Sequence, residues 1–292
     1  MTTNKNHPII LAHGITRPDY LIDFIKRKAN LQDLGLVADK FHYFKGIASF
    51  LRQHGFEVYH TSVSFAADVE TRALDLTGEV QKILADTGHE KVHIIGHSMG
   101  GLDARHMIVN HNMAEKVASL TTIGTPHLGA SVADWFVEIG LDKIIGAIRK
   151  VINLDGFKSL TTAACQQFND FARDKEASNS VIYQVYASAQ KCELTFPLFQ
   201  KTWQITYDNE GDNEGLVSVK SQKWEDRLLG KSAVKAVKQH DFPFPADHVN
   251  QMGWWHWNGA HWNAHILKEK KEFEMTIKNV YLRIAQEASS RC

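Results

Sequence analysis

A serine lies between two glycines at residues 96–100, which read GHSMG. An apolar stretch at 91–95 predicts a buried strand before it, and apolar residues at near-helical spacing over 102–108 predict a helix after it. On a sharp turn from strand to helix a serine exposes its hydroxyl, and the flanking glycines leave room for such a turn. The pattern predicts that Ser98 is a nucleophile whose hydroxyl attacks a carbonyl carbon.

The serine hydroxyl needs a base that takes its proton and an acid that orients the base. Where a serine turn of this kind is used, the acid and then a histidine follow it along the chain. Glu214 and Asp212 lie in a polar turn that leads into the apolar stretch 216–219, where such an acid is expected. The chain has 16 histidines, so spacing alone leaves the base open. We predict His248 as the base and Glu214 as the acid, with Asp212 as the weaker candidate.

Two backbone N–H groups must bind the oxyanion that forms when the carbonyl is attacked. The residue after the nucleophile supplies one of them, and this residue is Met99. The other is expected from the loop that follows the first strand, which is predicted at 8–12. Gly14 lets this loop pass close to a substrate, so we predict Ile15 as the second donor.

Strands alternate with helices along most of the chain. Stretches rich in β-branched and apolar residues predict strands at 8–12, 56–63, 91–95, 117–123 and 180–187. Apolar residues at helical spacing predict helices at 44–54, 69–84, 102–111 and 264–288. This alternation predicts an α/β fold with a mostly parallel sheet, flanked by helices and built with right-handed crossovers, in a single domain spanning 1–292.

The alternation is interrupted at about 130–158, which carries more large apolar residues than a surface connection needs. These residues are Val132, Trp135, Phe136, Ile139, Ile144, Ile145, Ile148, Val151 and Ile152. Two interpretations are open. The stretch packs permanently as core, or it is a helical lid whose apolar face turns outward to contact lipid.

Charge and composition argue against several classes of partner. Lys and Arg together number 33, as do Asp and Glu, so no net charge favours nucleic acid or an anionic membrane. No apolar run approaches the ~20 residues that span a bilayer, and the first twelve residues lack the pattern of a secretory signal. We therefore expect no nucleic-acid partner, no transmembrane segment, and a location that is cytoplasmic or reached by export without a cleaved Sec signal.

Metal and disulfide chemistry have little support in the sequence. The three cysteines, Cys165, Cys192 and Cys292, are too few for a disulfide framework and lack zinc-site spacing. A single Cys165–Cys192 bridge and three free thiols are both open. His261 and His265 have the i, i+4 spacing of a metal pair, but without a nearby cysteine or carboxylate aromatic packing is the better interpretation. We expect no cofactor and no metal.

Several motifs, taken in order, resemble the bacterial triacylglycerol lipases of the Pseudomonas, Burkholderia and Proteus group. They are PIILAHGI at 8–15, IGHSMGG at 95–101, TTIGTPHLG at 121–129, LTTAACQQFN at 160–169, NEGLVS at 213–218 and the Asp-His pair at 247–248. The resemblance covers most of residues 8–252. It implies an α/β-hydrolase fold, a helical lid insertion at about 130–158, and ester hydrolysis on acylglycerols.

Four features differ from the pattern of that family. Glu214 stands where the family usually has aspartate, and its extra methylene requires a shifted backbone. Residues 16–42 are longer than the family's loop there. The family's structural calcium site uses an aspartate two residues after the catalytic histidine, and here Asn250 stands at that position. A neutral amide binds calcium less well than a carboxylate does, so the resemblance does not extend to that calcium site, and a site rebuilt from the Asn250 carbonyl oxygen with Asp241 and Asp247 stays open. The segment 254–265, rich in Trp and His, has no counterpart.

We predict a serine-dependent carboxylic-ester hydrolase, foremost a triacylglycerol lipase. It would act on acylglycerols or other lipid esters through an acyl-enzyme and meet lipid through its lid. A phospholipase, an acyltransferase or a small-ester esterase uses the same machinery. A binding module that has lost catalysis is the alternative from another class. Candidates for nucleophile, base, acid and both oxyanion donors are all present, which argues against that alternative.

Overall fold

A parallel sheet forms the centre of the computed structural model, which describes residues 6–15, 43–64, 67–139, 154–255 and 264–290. Its strands are β1 (Ile9–Ala12), β2 (Val58–His60), β3 (Val92–His97), β4 (Val117–Ile123), β5 (Ile182–Ala187) and β8 (Lys238–Asp241). They lie in the order β2-β1-β3-β4-β5-β8, and every neighbouring pair is parallel. The strands β6 (Arg227–Leu229) and β7 (Val234–Ala236) form a separate antiparallel hairpin.

Helices cover both faces of the sheet. In chain order they are α1 (Ile47–Gln53), α2 (Val69–Thr87), α3 (Met99–Asn110), α4 (Ser131–Ile139), α5 (Leu154–Lys158), α6 (Thr162–Ser178), α7 (Gln200–Glu210), α8 (Val219–Lys223) and α9 (Ala264–Ser289). The helix α2 begins where the Asp68 carboxylate accepts a hydrogen bond from the Thr71 N–H, and it ends at Gly88 in the left-handed conformation. The predicted α/β class is confirmed.

Alternate residues of each strand pack on opposite faces of the sheet. Ile10 and Ile94 belong to the apolar cluster that includes residues of α2, α3 and α6. Ile9 and Leu11 belong to a second cluster, which includes residues of α1 and α9. Because helices cover both faces, the strands are apolar at consecutive positions, which explains the continuous apolar run of the first strand.

Most predicted elements are confirmed, with shifted ends. The helix predicted at 102–111 begins at Met99, because the turn at Ser98 passes directly into it. The strand predicted at 56–63 is limited to Val58–His60 at the edge of the sheet. Among the described helices, none is long and apolar enough to cross a membrane.

The two described cysteines are free thiols, so the bridge between Cys165 and Cys192 that the sequence left open does not form. Their surroundings differ: Cys165 Sγ lies 3.5 Å from the Pro126 carbonyl, whereas Cys192 Sγ lies 3.8 Å from the Gln200 carbonyl. Cys292 lies outside the described residues.

The carboxyl ends of β1, β3, β4 and β5 meet at one edge of the sheet, where open parallel sheets bind their ligands. The register pairs Ala12 with Gly96 and His97 with Ile123. The loops after β1 and β3 therefore leave the sheet side by side, and residues 13–15 come next to Ser98.

Candidate active site

Ser98 forms the turn between β3 and α3. Its backbone has φ 56° and ψ −132°, a conformation that residues other than glycine rarely adopt. The Ser98 N–H donates to the Ile123 carbonyl at 2.9 Å, and Thr125 Oγ1 donates to the Ser98 carbonyl at 2.8 Å. Gly96 permits the turn, because a methyl group there would come within 2.7 Å of Gly101 Cα. The surrounding structure thus holds the serine in a strained turn.

The loop after β1 passes directly against this serine. A methyl group on Gly14 would lie 2.8 Å from Ser98 Cβ and 3.2 Å from Ser98 Oγ. Met99 is the first residue of α3, so its N–H lies at the amino end of the helix, where the peptide dipoles favour negative charge. Ile15 and Met99 share one apolar cluster. The structure brings both predicted oxyanion donors to the serine, and their role stays a prediction.

A buried arginine that the sequence analysis missed holds this loop. Arg72 lies on α2 with 0% of its surface exposed. Its guanidinium donates to the His13 carbonyl at 2.8 Å and to the Gly14 carbonyl at 3.3 Å. It also donates to both carboxylate oxygens of Asp103 on α3, at 3.1 and 2.7 Å. Arg72 therefore joins the loop after β1, which carries the predicted oxyanion donor Ile15 and is called the oxyanion loop below, to the helix that begins beside Ser98.

Burial sets the protonation of the groups around Arg72. It raises the pKa of the Asp103 carboxyl to about 6, although the Arg72 charge works against this rise. Burial, followed by the Arg72 charge, lowers the pKa of His13 to about 4. His13 Nδ1 donates to the Gly14 carbonyl at 2.8 Å, and Nε2 accepts from the Val63 N–H at 3.4 Å, as a neutral imidazole does. At neutral pH the positive charge beneath the oxyanion loop is thus Arg72.

Glu214 and His248 are in contact on the other side of the serine. Glu214 Oε2 lies 3.0 Å from His248 Nδ1, and the His248 N–H donates to the Glu214 carbonyl at 3.0 Å. Glu214 Oε1 accepts from the Val217 N–H at 2.9 Å, which closes the acid loop, residues 213–218, upon itself. Burial raises the pKa of Glu214, and the contact with His248 lowers it in part. The pair has the arrangement in which an acid orients an imidazole.

His248 also packs against His97, the residue that precedes Ser98. The ring centroids of His97 and His248 are 4.6 Å apart, which places the predicted base against the strand end that carries the predicted nucleophile. Asp212, the weaker candidate for the acid, is held through its backbone carbonyl, which accepts from the Val219 N–H at 2.8 Å. The geometry favours Glu214 over Asp212 as the partner of His248.

Asp247 fastens the loop that carries His248. Its buried carboxylate accepts hydrogen bonds from three backbone N–H groups, those of Phe196 at 2.7 Å, Val249 at 3.1 Å and Asn250 at 2.8 Å. Its three partners show that it orders the turn after the histidine and joins that turn to the backbone at Phe196.

The residues of the His248 loop do not fit a calcium site. Asn250 Oδ1 accepts from the Asp247 N–H at 3.2 Å, and Nδ2 donates to the Trp254 carbonyl at 3.0 Å. Calcium needs six to eight oxygen ligands, and these oxygens are already bound by N–H groups. Within the part of the chain that the structure describes, no three His, Cys, Asp or Glu side chains are grouped to hold a metal. His261 and the side chain of His265 lie outside that part.

The two ends of the predicted lid cover the oxyanion side of the site. Phe136 on α4 and Phe157 on α5 meet edge to face, with centroids 5.2 Å apart, in the same apolar cluster as Met99. A methyl group on Gly156 would come within 2.6 Å of Ile15 Cδ1. Residues 140–153, which include five of the apolar residues named for the lid, lie outside the described residues.

Known proteins resemble this chain in sequence. Residues 71–179 match the family model of the PGAP1-like alpha/beta domain. The chain is 29% identical over 262 residues to triacylglycerol lipase 2 of Saccharomyces cerevisiae. This alignment covers 85% of this chain and 74% of the relative. It is 38% identical over 136 residues to a triacylglycerol lipase of Pseudarthrobacter phenanthrenivorans, covering 46% of this chain and 37% of the relative.

A solved structure shows the same fold. The crystal structure of Staphylococcus hyicus lipase aligns with a TM-score of 0.60 at 18% identity and covers 97% of each chain. The match to the bacterial relative, by contrast, spans little more than a third of that relative's length. The α/β-hydrolase fold and the resemblance to triacylglycerol lipases are both confirmed.

Proposed function

We propose that this relative of the triacylglycerol lipases hydrolyses acylglycerol esters through an acyl-enzyme formed on Ser98. The similarity to lipases in sequence and fold confirms the predicted class: the chain is a carboxylic-ester hydrolase. The observation that carries the mechanism is a strained turn at Ser98 whose preceding residue, His97, packs on His248 of the buried Glu214–His248 pair.

In the first step Ser98 Oγ attacks the acyl carbonyl carbon while His248 takes the hydroxyl proton. The N–H groups of Ile15 and Met99 bind the oxyanion of the tetrahedral intermediate. His248 then gives its proton to the departing alcohol, and the ester bond of the substrate breaks. Water attacks the acyl-enzyme with His248 again as base, which releases the fatty acid and restores Ser98. Glu214 orients the imidazole throughout.

The apolar surface around the site supports a lipid ester as substrate. Val137 on α4, Leu194 and Leu198 are 39%, 51% and 55% exposed. Leu198 precedes Phe199, whose ring centroid lies 6.2 Å from that of His248. Apolar side chains are thus exposed beside the predicted base and on α4, the first helix of the predicted lid, where a lipid surface would meet them.

The lid is the second part of the proposal, with bounds at about 130–158. In the closed form its ends bury apolar surface against Met99 and Ile15, so opening in water costs about 25 cal/mol per Å² of exposed apolar area. A lipid surface removes this cost and favours the open form, because it contacts the open face better than water does. Lipid contact through the lid would therefore couple access to Ser98 with the presence of substrate.

The rate of tributyrin hydrolysis, measured across the solubility limit of tributyrin, tests the lid. We expect specific activity to rise when droplets form. Val137→Asp should weaken this rise and leave hydrolysis of dissolved p-nitrophenyl butyrate nearly intact. A rate that saturates below the solubility limit would show that 130–158 is fixed core and that the enzyme is an esterase for small esters. Faster fatty-acid release from phosphatidylcholine vesicles than from triglyceride droplets would identify a phospholipase.

The hairpin of β6 and β7 offers a matched control for this experiment. Leu229 on β6 is 58% exposed, like the apolar residues beside the site. The hairpin lies at the amino end of β5, since Lys235 Nζ donates to the Val181 carbonyl at 3.1 Å. Leu229→Asp therefore places the same charge on an apolar surface at the opposite edge of the sheet and should leave the rise at droplets unchanged.

A further inference from the structure

His97, which lies between Gly96 and the nucleophile, is fully buried and bound on both ring nitrogens. Its Nδ1 lies 2.7 Å from the Tyr43 hydroxyl, and its Nε2 lies 2.9 Å from Gln251 Oε1. One face of the ring packs on His248. Two histidines are therefore in contact beside Ser98, and the predicted mechanism requires that only one of them takes the serine proton.

Hydrogen bonds beyond His97 decide where its proton lies. Ser188 Oγ donates to the Ala246 carbonyl at 2.7 Å, so this oxygen accepts from the Gln251 amide nitrogen, also at 2.7 Å. The amide oxygen of Gln251 must then face His97. A carbonyl oxygen only accepts, so the proton of His97 lies on Nε2.

The remaining nitrogen of His97 is the acceptor for the Tyr43 hydroxyl. The imidazole is thus neutral with both nitrogens bound, and a second proton would have to displace the one that Tyr43 donates. Burial, followed by the neighbouring His248, holds the pKa of His97 well below its usual range. Tyr281 holds the backbone of Gln251 in place, because its hydroxyl donates to the backbone carbonyl of Gln251 at 3.0 Å.

We propose that Gln251 is a positioning residue that fixes the proton of His97 on Nε2, so that His248 alone takes the proton of Ser98. Gln251 acts through His97 and touches neither the nucleophile nor the substrate. The effect of Gln251 on catalysis rests on the proposed acyl-enzyme mechanism. A neutral His97 also places no positive charge against the imidazolium that forms on His248, which would otherwise be destabilised by like-charge repulsion.

Nuclear magnetic resonance of the ¹⁵N-labelled histidine rings in the full chain tests the proton position directly. His97→Asn and His248→Asn identify the two sets of signals by their loss. We expect His97 to carry its proton on Nε2 and to stay neutral at pH values where an ordinary histidine becomes charged. In Gln251→Glu a carboxylate would accept the same hydrogen bond and favour the charged ring, so the His97 pKa should rise by at least about one unit.

Steady-state kinetics on p-nitrophenyl butyrate tests the consequence. Gln251→Met keeps the size of the side chain and removes the acceptor, so we expect kcat to fall about tenfold with KM within about twofold. Gln184 supplies the matched control, since it is also a buried glutamine and donates to Thr121 Oγ1 within the sheet. Gln184→Met should lower thermal stability and leave kcat unchanged.

Three results would overturn the proposal. They are a His97 proton on Nδ1 in the unaltered protein, an unchanged His97 titration in Gln251→Glu, and an equal loss of kcat in Gln251→Met and Gln184→Met. The first two need no catalysis, so they stand even if Gln251→Met does not fold. Failure of Ser98 to react with a fluorophosphonate would instead contradict the proposed function and leave the histidine signals to decide the role of Gln251.

Discussion

Two buried side chains of opposite charge hold the loops on either side of Ser98. On the oxyanion side a buried cation, Arg72, donates to two carbonyls of the loop that carries Ile15 and pairs with Asp103. On the acid–base side a buried anion, Asp247, accepts three backbone N–H groups around His248. We call these two sets of contacts the Arg72 clamp and the Asp247 clamp. Each holds a loop at the edge of the sheet where the carboxyl ends of the strands meet.

The opposite charges of Arg72 and Asp247 match the charges that would develop near each of them in the proposed reaction. In the proposed mechanism an oxyanion would form beside Ile15 and Met99, where the Arg72 charge, partly offset by its partner Asp103, would favour it. An imidazolium would form on His248, where the carboxylates of Asp247 and Glu214 would favour the cation. Fixed charges of the right sign need no reorganisation when the reaction occurs. We therefore expect that weakening the Arg72 clamp lowers kcat through poorer binding of the oxyanion. Weakening the contacts of His248 should lower kcat through poorer proton transfer.

The largest effect is expected on the acid–base side. Glu214→Gln removes the negative partner of His248 and should lower kcat by about 10⁴-fold, the size of effect known for a triad aspartate in serine proteases. Asp212→Asn is the matched control and should change kcat by no more than a few-fold. The measurement is hydrolysis of p-nitrophenyl butyrate by folded variants. A large loss in Asp212→Asn with a small loss in Glu214→Gln would mean that the acid loop is shifted in register.

A smaller loss is expected on the oxyanion side. Arg72→Lys keeps the charge but cannot bind both oxygens of Asp103 and the carbonyl of His13 together. The loop carrying Ile15 should shift, with a loss of about 10²-fold in kcat, near the lower end of what one lost oxyanion donor costs.

Arg173 on α6 supplies the control for this substitution, because it also forms a bidentate pair, with Glu225, but is partly exposed. Arg173→Lys should leave kcat unchanged. If Arg72→Lys lowers the melting temperature while kcat stays intact, the arginine supports the fold alone, and the proposed link between its charge and the oxyanion is wrong.

Buried histidines make stability depend on pH. Burial is the largest cause that lowers the pKa values of His13, His93 and His106 to about 4, so the unfolded chain takes up protons first as the pH falls. The free energy of unfolding should therefore decrease as the pH falls from 6.5 towards 4, by about 1 kcal/mol for each histidine at pH 5.5. Asp103, with its raised pKa, acts in the opposite direction.

Urea unfolding at about pH 7.5 and about pH 5.5 measures this dependence. His93 lies away from the serine and binds Ser119 Oγ through Nδ1 at 2.8 Å. His93→Gln should reduce the difference between the two free energies by about 1 kcal/mol, because one titrating group is removed. An unchanged difference would show that His93 is not protonated differently in the folded and unfolded states.

The smallest effect is expected from calcium. Asp247 and Asn250 fasten the His248 loop through hydrogen bonds to the protein itself. The melting temperature with calcium and with excess EGTA should therefore agree within about two degrees. A ligand bound only by the folded state stabilises that state by mass action, so a large decrease in EGTA would reveal a bound calcium ion.

The parts of the site that could be predicted from sequence are those with local patterns. Ser98 stands in a strand–turn–helix motif, and Glu214 and His248 stand in short motifs that follow it in order. The clamps had no such pattern, because Arg72 reaches His13, Gly14 and Asp103, and Asp247 reaches Phe196, at positions far away in the chain. The position of Arg72 in the sequence did contain one usable signal. It lies on the apolar face of α2, and because burying a charge without a partner is costly, an arginine there implies a buried acidic or carbonyl partner.

The fold was predictable for a similar reason. Alternating strands and helices are read from local periodicity, and parallel order follows from the alternation. The proton on His97 was not predictable, because it depends on Gln251 and Ser188, which approach it only in the folded chain. Gln251 and Ser188 leave no periodic or motif signal of their own.

The proposed mechanism depends above all on Ser98 as a nucleophile that His248 activates. Treatment with an alkyl fluorophosphonate, followed by mass spectrometry of the peptides, measures this directly. We predict one covalent label per chain, on Ser98, with loss of ester hydrolysis in step with labelling. His248→Ala should fold and label at least about 100-fold more slowly, the lower range for loss of a general base. Label on another residue, or full hydrolysis by a folded Ser98→Ala variant, would contradict the mechanism.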